Sequence, residues 1–197
     1  MTGRRKLILA SQSPRRRELL ALTGIPFETA SVEINETFNP ALKVEENVME
    51  ISRQKAEAVQ RTLPEADASA VVLGSDTTVL LDGAALGKPG DFSHAFEMLS
   101  ALQGRCHEVL TGFCILHNDN AVLNYARTIV EFGVMTATEI TRYIEVMKPF
   151  DKAGAYGIQD PLLACFVTRI EGCYYNVVGL PVSKVYAALK PLFPTKG

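Results

Sequence analysis

The sequence predicts an α/β protein, a mixed twisted sheet flanked by helices. Three observations predict it. A short apolar run at residues 6–10 stops at Ser11-Gln12-Ser13 and gives way to a helical stripe. A longer apolar stretch at 70–81 has the near-continuous character of a strand buried on both faces. Two further runs, 109–116 and 122–132, are joined by His117-Asn118-Asp119-Asn120, a link short enough to make them an antiparallel pair.

Taken in order, residues 6–10 read as a buried strand, and Pro14 stands at the first position of a helix carrying Leu19, Leu20 and Leu22. That helix ends near Gly24, and residues 27–32 read as a second strand beyond Pro26. Residues 33–43 are acidic, with Asn and Pro, and read as a loop. A helix over 45–63 follows, with Val48, Ile51, Ala56 and Val59 as its stripe and Pro64 as its stop. The apolar pattern of the strand at 70–81 is interrupted by Gly74-Ser75-Asp76-Thr77-Thr78 and then resumes, and Asp82-Gly83 reads as a hairpin turn leading to Leu86-Gly87-Lys88-Pro89. Beyond a helix over 92–102 and the antiparallel pair, Thr138-Glu139 reads as the cap of a helix reaching Met147. The stretch DKAGAYGIQD at 151–160 is glycine-punctuated and non-periodic. Runs 165–170 and 174–178 read as a final hairpin across Glu171-Gly172, and Leu180-Pro181 opens the last helix, with Val185, Leu189 and Leu192 inward.

The bulk numbers narrow the function classes. A chain of 197 residues buries one substantial core, as one domain or two tightly joined lobes. A formal charge of -2 argues against nucleic acid as a partner, which calls for a basic face. Positive charge is concentrated locally instead, at Arg4, Arg5, Lys6 and then Arg15, Arg16, Arg17, which suits a small anionic ligand. No apolar run approaches the roughly 20 residues that span a bilayer, and the first apolar stretch is too short for a signal peptide, so no membrane partner is expected. Cys106, Cys114, Cys165 and Cys173 form no CxxC pair and no zinc spacing with His94, His107 and His117. They read as reduced thiols of a cytoplasmic protein, mostly used as small core residues.

Four groups of residues carry candidate chemistry. Arginines in a first helical turn oppose the helix dipole, so they are either surface charges or donors waiting for an anion beside free backbone N–H groups. Ser11 and Ser13 either join that site or cap the helix. Asp76 lies inside the most apolar strand, where a carboxylate must be paired, hydrogen-bonded or metal-bound. It serves either a backbone bend or a catalytic site, with Thr77 and Thr78 offering hydroxyls on alternate faces. Glu36, Lys55 and Lys88 are singly ordinary surface charges. With Asp76 and the arginines they would combine phosphate-binding cations with carboxylates for a divalent metal, which takes one or two carboxylates plus phosphate oxygens. Gln159, in a loop of small residues, offers a donor and an acceptor for a pyrimidine edge, or a solvated amide in a turn.

LILASQSPRRRELL, VVLGSDTTVLLDG, LGKP, DKAGAYGIQ and NVVGLP together resemble the Maf family of nucleoside triphosphate pyrophosphatases over nearly the whole chain. The SxSPRR turn, the GxDT strand and GKP are highly specific in combination. AGAYGIQ resembles the subgroup acting on dTTP and UTP, rather than those acting on 7-methyl-GTP or CTP-like substrates. The resemblance implies one Maf-like domain over 1–197 with a fold similar to the inosine triphosphatase (ITPase/Ham1) group, two lobes with a central cleft. It implies cleavage between the α- and β-phosphates with Mg²⁺ or Mn²⁺, releasing a monophosphate and pyrophosphate, and often a homodimer. By motif position, Asp76 is similar to the family's proton acceptor. Arg15, Thr77 and Gln159 match positions tied to substrate choice. Ser11, Arg16, Glu36, Lys55 and Lys88 match positions lining the phosphate and metal site, with Asp76 and Glu36 as metal ligands and Glu33 as the alternative to Glu36. Two departures stand out: Ser75 where alanine is common, and Asp160 where glycine often follows the glutamine, a charge beside the base-reading loop. A second reading, a nucleotide-binding regulator of cell division and septum formation with little catalysis, shares the phosphate site. A pure binder has no need of a carboxylate facing a polyanion, so Asp76 favours the enzyme.

Overall fold

In the computed structural model, which describes residues 5–118 and 120–194, the elements follow one another as β1 (Leu7–Ala10), α1 (Pro14–Ala21), β2 (Phe27–Ala30), α2 (Val44–Gln60), β3 (Val71–Leu81), β4 (Ala84–Leu86), α3 (Phe92–Leu102), β5 (Cys106–His117), β6 (Asn120–Phe132), α4 (Ala137–Met147), β7 (Val167–Glu171), α5 (Tyr174–Val178) and α6 (Val182–Leu189). The strands form a mixed sheet in the order β2-β1-β3-β5-β6-β7, with β4 on β3. Arg4 and Asp119 lie outside the described residues. No helix of the described residues is long and apolar enough to cross a membrane. Contacts divide the chain into two compact units, Met1–Asp76 with Thr111–Ala126 and Gly179–Gly197, and Thr77–Leu110 with Arg127–Val178.

In the first unit β1 runs parallel to both β2 and β3, pairing Leu7 with Phe27 and Val71, and Ala10 with Ala30 and Gly74. All four residues of β1 and the first six of β3 are buried, as the unbroken apolar runs require of parallel strands covered on both faces. Helix α2 covers one face with Ala56 and Val59 against Ile8, Ala10 and Val72. It comes so close that a Cβ on Gly74 would stand 2.0 Å from the Ser52 carbonyl oxygen, and one on Gly112 would stand 2.5 Å from the Val48 carbonyl carbon and oxygen. Two glycines on adjacent strands therefore let the helix backbone rest directly on the sheet.

The strand expected at 70–81 is present as β3. It runs for 11 residues, straight through the polar interruption. Gly74 lies under α2, the Ser75 hydroxyl donates to the Gly112 carbonyl at 2.9 Å, and Asp76 accepts from Lys55. Leu22 is exposed rather than part of the α1 stripe, since α1 ends at Ala21 with Leu19 and Leu20 buried.

In the second unit α3 and α4 pack with β5 and β6 residues around Leu99, Leu102, Val130, Phe132 and Ile144. Asp82 and Gly83 both take positive φ (52° and 81°), the geometry of a tight hairpin, and β3 pairs antiparallel with β4 across them. Three expectations are corrected here. Thr136, not Thr138, caps α4, its hydroxyl accepting from Glu139 N while the Glu139 carboxylate accepts from Thr136 N. Residues 165–170 and 174–178 do not form a hairpin: β7 pairs with β6, and 174–178 is helical. The chain turns away at Gly172, Cys173 N donates to Thr128 Oγ1, and the buried Asn176 amide donates to Val109 O and Thr128 Oγ1, anchoring a helical turn instead of a strand. The thiols are free, but of the four only Cys114 is buried, while Cys106 and Cys165 are exposed.

His107 is 3 % exposed, its Nε2 lies 2.7 Å from Tyr156 Oη, and its ring stacks edge-on against Phe132 and Tyr156. Burial pushes its pKa down to about 4.

Two tests follow from this packing. Gly74→Ala should cost about 3 kcal/mol or more, since helix or sheet backbone must move to admit the methyl; an unchanged urea midpoint would remove the close-contact argument. The unfolded His107 imidazole takes up a proton near pH ~6.5 and the folded one resists until about 4. Its contribution is thus complete above that upper value and is lost as pH falls through the window, by about 3 kcal/mol in total. Urea denaturation at neutral and acid pH should show this loss, and His107→Gln should flatten it.

Candidate functional site

The site begins at the turn after β1. Ser11 Oγ accepts from Ser13 N (3.1 Å), and Ser13 Oγ accepts from Arg16 N (3.5 Å) as the cap of α1. The two serines thus shape the turn, and α1 starts at Pro14 with Arg15, Arg16 and Arg17 in its first turn. Arg16 is half-buried and its Nε donates to Gly179 O at 2.9 Å, which holds the guanidinium stem in place. Burial pulls its pKa below the usual arginine value; the negative fields of Asp76 and Glu36 oppose this, and Arg15 adds to the lowering. An arginine remains charged under any such shift. Asp76, Glu36 and Arg15 thus each lie within electrostatic reach of Arg16. Arg17 is exposed. Arg5 and Lys6 serve elsewhere, Arg5 donating to Leu192 O and Lys6 pairing with Glu28 and Asp67.

Lys55 projects from the part of α2 that rests on Gly74, and its Nζ lies 2.7 Å from Asp76 Oδ1 and 3.0 Å from Glu36 Oε2. The Lys55 and Asp76 side chains are 12 % and 10 % exposed, whereas Glu36 is 44 % exposed. One ammonium is therefore shared by a buried and a half-open carboxylate. Of the two acidic candidates in the loop, Glu36 is the one that reaches Lys55.

Asn47 of α2 accounts for the loop's path. Its Oδ1 accepts from Asn39 N (2.7 Å), and its Nδ2 donates to Asn39, Leu42 and Lys43 carbonyls. Asn35 Oδ1 accepts from Thr37 N and Oγ1, a local turn bracketing Glu36. Sequence reasoning missed Asn47; its signal is an amide beside Val48 on a helical stripe. The Asn-x-Thr spacing at 35–37 likewise marks the turn.

The second unit holds Thr77, Lys88 and Gln159. Thr77 is half-buried and follows Asp76 directly along β3, so the two side chains leave opposite faces of the strand. Lys88 is exposed in the loop after β4, and the preceding Gly87 carbonyl accepts from Gly154 N at 3.0 Å. That bond ties the Lys88 loop to the loop bearing Gln159, which is also exposed. The neighbouring Asp160, expected to add a charge beside the base-reading loop, is buried: its carboxylate accepts from Tyr143 Oη at 2.6 Å and lies 3.6 Å from Lys152 Nζ.

The chain matches the Maf-like protein family over residues 6–192. It belongs to the Maf family. This Maf chain is 83 % identical over 194 residues to a dTTP/UTP pyrophosphatase of Chlorobaculum parvum, covering 98 % of each. It is 81 % identical over 197 residues to a dTTP/UTP pyrophosphatase of Chlorobaculum tepidum, covering 100 % of each. Its backbone superposes on the Ham1 protein of Staphylococcus aureus with a TM-score of 0.54 at 13 % identity, covering 95 % of this chain and all of that one, a likeness of fold.

The Maf site's donor set fits a hard divalent cation. Among the described residues no three His, Cys, Asp or Glu side chains form a metal-holding group. Two oxygen donors, Asp76 and Glu36, converge on one ammonium. Mg²⁺ uses such a sparse carboxylate set and fills its remaining positions with water and phosphate oxygen.

Proposed function

We propose that this Maf protein hydrolyses dTTP and UTP to the nucleoside monophosphate and pyrophosphate, a house-cleaning reaction on the nucleotide pool. The observation that carries the reading is the Lys55 ammonium between Asp76 and Glu36 beside Arg15 and Arg16, in a chain over 80 % identical from end to end with proteins named for that activity. Fixed cations and carboxylates without a covalent nucleophile suit phosphoryl chemistry, where positioning and charge stabilisation supply most of the catalysis.

In the proposed reaction Arg15, Arg16, Lys55 and Lys88 bind the triphosphate, with Ser11 lining the phosphate site. Asp76 orients a water and accepts its proton as the water oxygen bonds the α-phosphorus. The bond from that phosphorus to the α,β-bridging oxygen breaks, and pyrophosphate leaves in line. Mg²⁺ or Mn²⁺ held by Asp76 and Glu36 would supply charge neutralisation of the phosphates. Arg15, Thr77 and Gln159 govern substrate choice. Lys55 then has two tasks: it meets the phosphates as a point charge and holds the Asp76 carboxylate in place. The free thiols support a reducing compartment, the cytoplasm, and the family resemblance supports a homodimer.

A nucleotide panel with Mg²⁺ tests the reading, with pyrophosphate and orthophosphate measured separately. Pyrophosphate release from dTTP and UTP is expected; orthophosphate alone, or neither product, overturns it. Asp76→Asn should lower turnover by about 10²–10⁴-fold, the range for loss of a general base. Nucleotide affinity by calorimetry should largely survive in that variant. Near-normal turnover would remove Asp76 from the proton-accepting role.

A further inference from the structure

Residues 154–160 form a loop that is buried almost throughout. Gly154, Ala155, Tyr156, Gly157, Ile158 and Asp160 are buried, and within this described run Gln159 alone is exposed. A buried loop must satisfy its polar groups internally, and three ties hold this one. Gly154 N donates to Gly87 O, Tyr156 Oη meets His107 Nε2 at 2.7 Å, and Tyr143 of α4 closes the third.

The third tie bears directly on Gln159. Asp160 N donates to Gly157 O at 2.9 Å, so residues 157–160 make a four-residue turn with Gln159 at its third position. Both ends of that turn meet one phenol oxygen. Tyr143 Oη accepts from Gly157 N at 3.1 Å and donates to Asp160 Oδ2 at 2.6 Å. The Asp160 carboxylate also packs on Gly157, where a Cβ would stand 2.8 Å from Oδ1 and 2.9 Å from Cγ and Oδ2. Lys152 Nζ, 3.6 Å from Oδ2, offsets the buried charge. Burial first, and the bond to Asp160 second, hold the Tyr143 phenol well above its usual pKa. The phenol therefore keeps its single proton, spends it on Asp160, and leaves a lone pair for Gly157 N. The turn is clamped at both ends while its one exposed side chain is the amide proposed to read the base.

We propose that Tyr143 and Asp160 are positioning residues that fix Gln159 for recognition of the pyrimidine base. The inference rests on the dTTP/UTP reading and adds to it the origin of the discrimination. A surface glutamine on an unclamped loop would lose side-chain and backbone freedom on binding; here the backbone part of that cost is met during folding. The charge at Asp160 thus acts on substrate choice through the turn, without touching the ligand.

Steady-state kinetics with a base-free competitor test it. Tyr143→Phe keeps the ring and removes the oxygen that joins the two ends. It should raise KM for dTTP and UTP about tenfold, the worth of one well-placed hydrogen bond. It should leave kcat within about twofold and the inhibition constant of inorganic tripolyphosphate unchanged. Gln159→Ala should show the same split, and the double variant should be no worse than either single one, because both remove the same interaction. Asp160→Ala should behave like Tyr143→Phe, whereas Asp160→Asn, which still accepts from the phenol, should recover most of the wild-type KM. Full additivity in the double variant overturns the proposal. So does a parallel loss of tripolyphosphate inhibition, and so does a wild-type KM in Tyr143→Phe. If Tyr143→Phe folds poorly, the Asp160→Ala and Asp160→Asn pair decides by the same criteria. Failure of the wild-type protein to release pyrophosphate from dTTP or UTP is a separate result, and it strikes the substrate reading rather than the clamp.

Discussion

Everything in the first unit depends on how closely α2 can approach the sheet. At Gly74 and Gly112 the contact is backbone to backbone, closer than any side chain permits. The same approach determines whether Lys55 reaches Asp76. Gly74 and Asp76 leave β3 on the same face, two residues apart, as the period of a strand requires. Ser52 and Lys55 lie one helical turn apart on α2. A helix seated with Ser52 over Gly74 therefore delivers its next-turn lysine to the carboxylate two residues further along the strand. The 2.7 Å ion pair is a consequence of the glycine contact as much as of the charges.

The pair also explains how an aspartate survives in the most apolar strand of the chain. A buried carboxylate without a counter-charge would cost several kcal/mol. Lys55 supplies that charge, and sharing its ammonium with Glu36 keeps both acids aimed at one point. Ser75 is handled differently. Its hydroxyl points into the structure and donates to the Gly112 carbonyl. The place where alanine is common therefore accepts serine without an orphaned polar group.

Much of the fold was legible because it rests on local signals: apolar runs for β1 and β3, Pro14 for the start of α1, and Asp82-Gly83 for the hairpin. The failures share a cause. The polar stretch at 74–78 conceals what its residues meet, since Ser52, Lys55 and Gly112 are all distant in sequence. Residues 174–178 have strand-like composition, yet Asn176 finds acceptors on Val109 and Thr128 and the segment coils. The site divides the same way. Its residue types could be read from motifs, whereas the choice of Glu36 at Lys55 depends on the loop path enforced by Asn47. Asp160 shows the limit most clearly. In sequence it is a charge beside Gln159; in the structure it is buried against a tyrosine 17 positions earlier.

Charge balance in the first unit bears on the cofactor. Arg16 and Lys55 face Asp76 and Glu36, with Arg15 beside Arg16, so the cluster carries one net positive charge. That is far short of neutralising a triphosphate. Extra lysines around Asp76 would improve phosphate binding, but each would also compete for the carboxylate proposed to accept the proton. A divalent cation of the kind proposed above would resolve the conflict, adding charge on the phosphate side while the resting cluster stays near neutral. A site with few cations and two carboxylates is thus better matched to a metal–nucleotide complex than to the free polyanion. The sparseness of the protein ligands would then be a feature of the chemistry, since phosphate oxygens would complete the coordination that the protein leaves open.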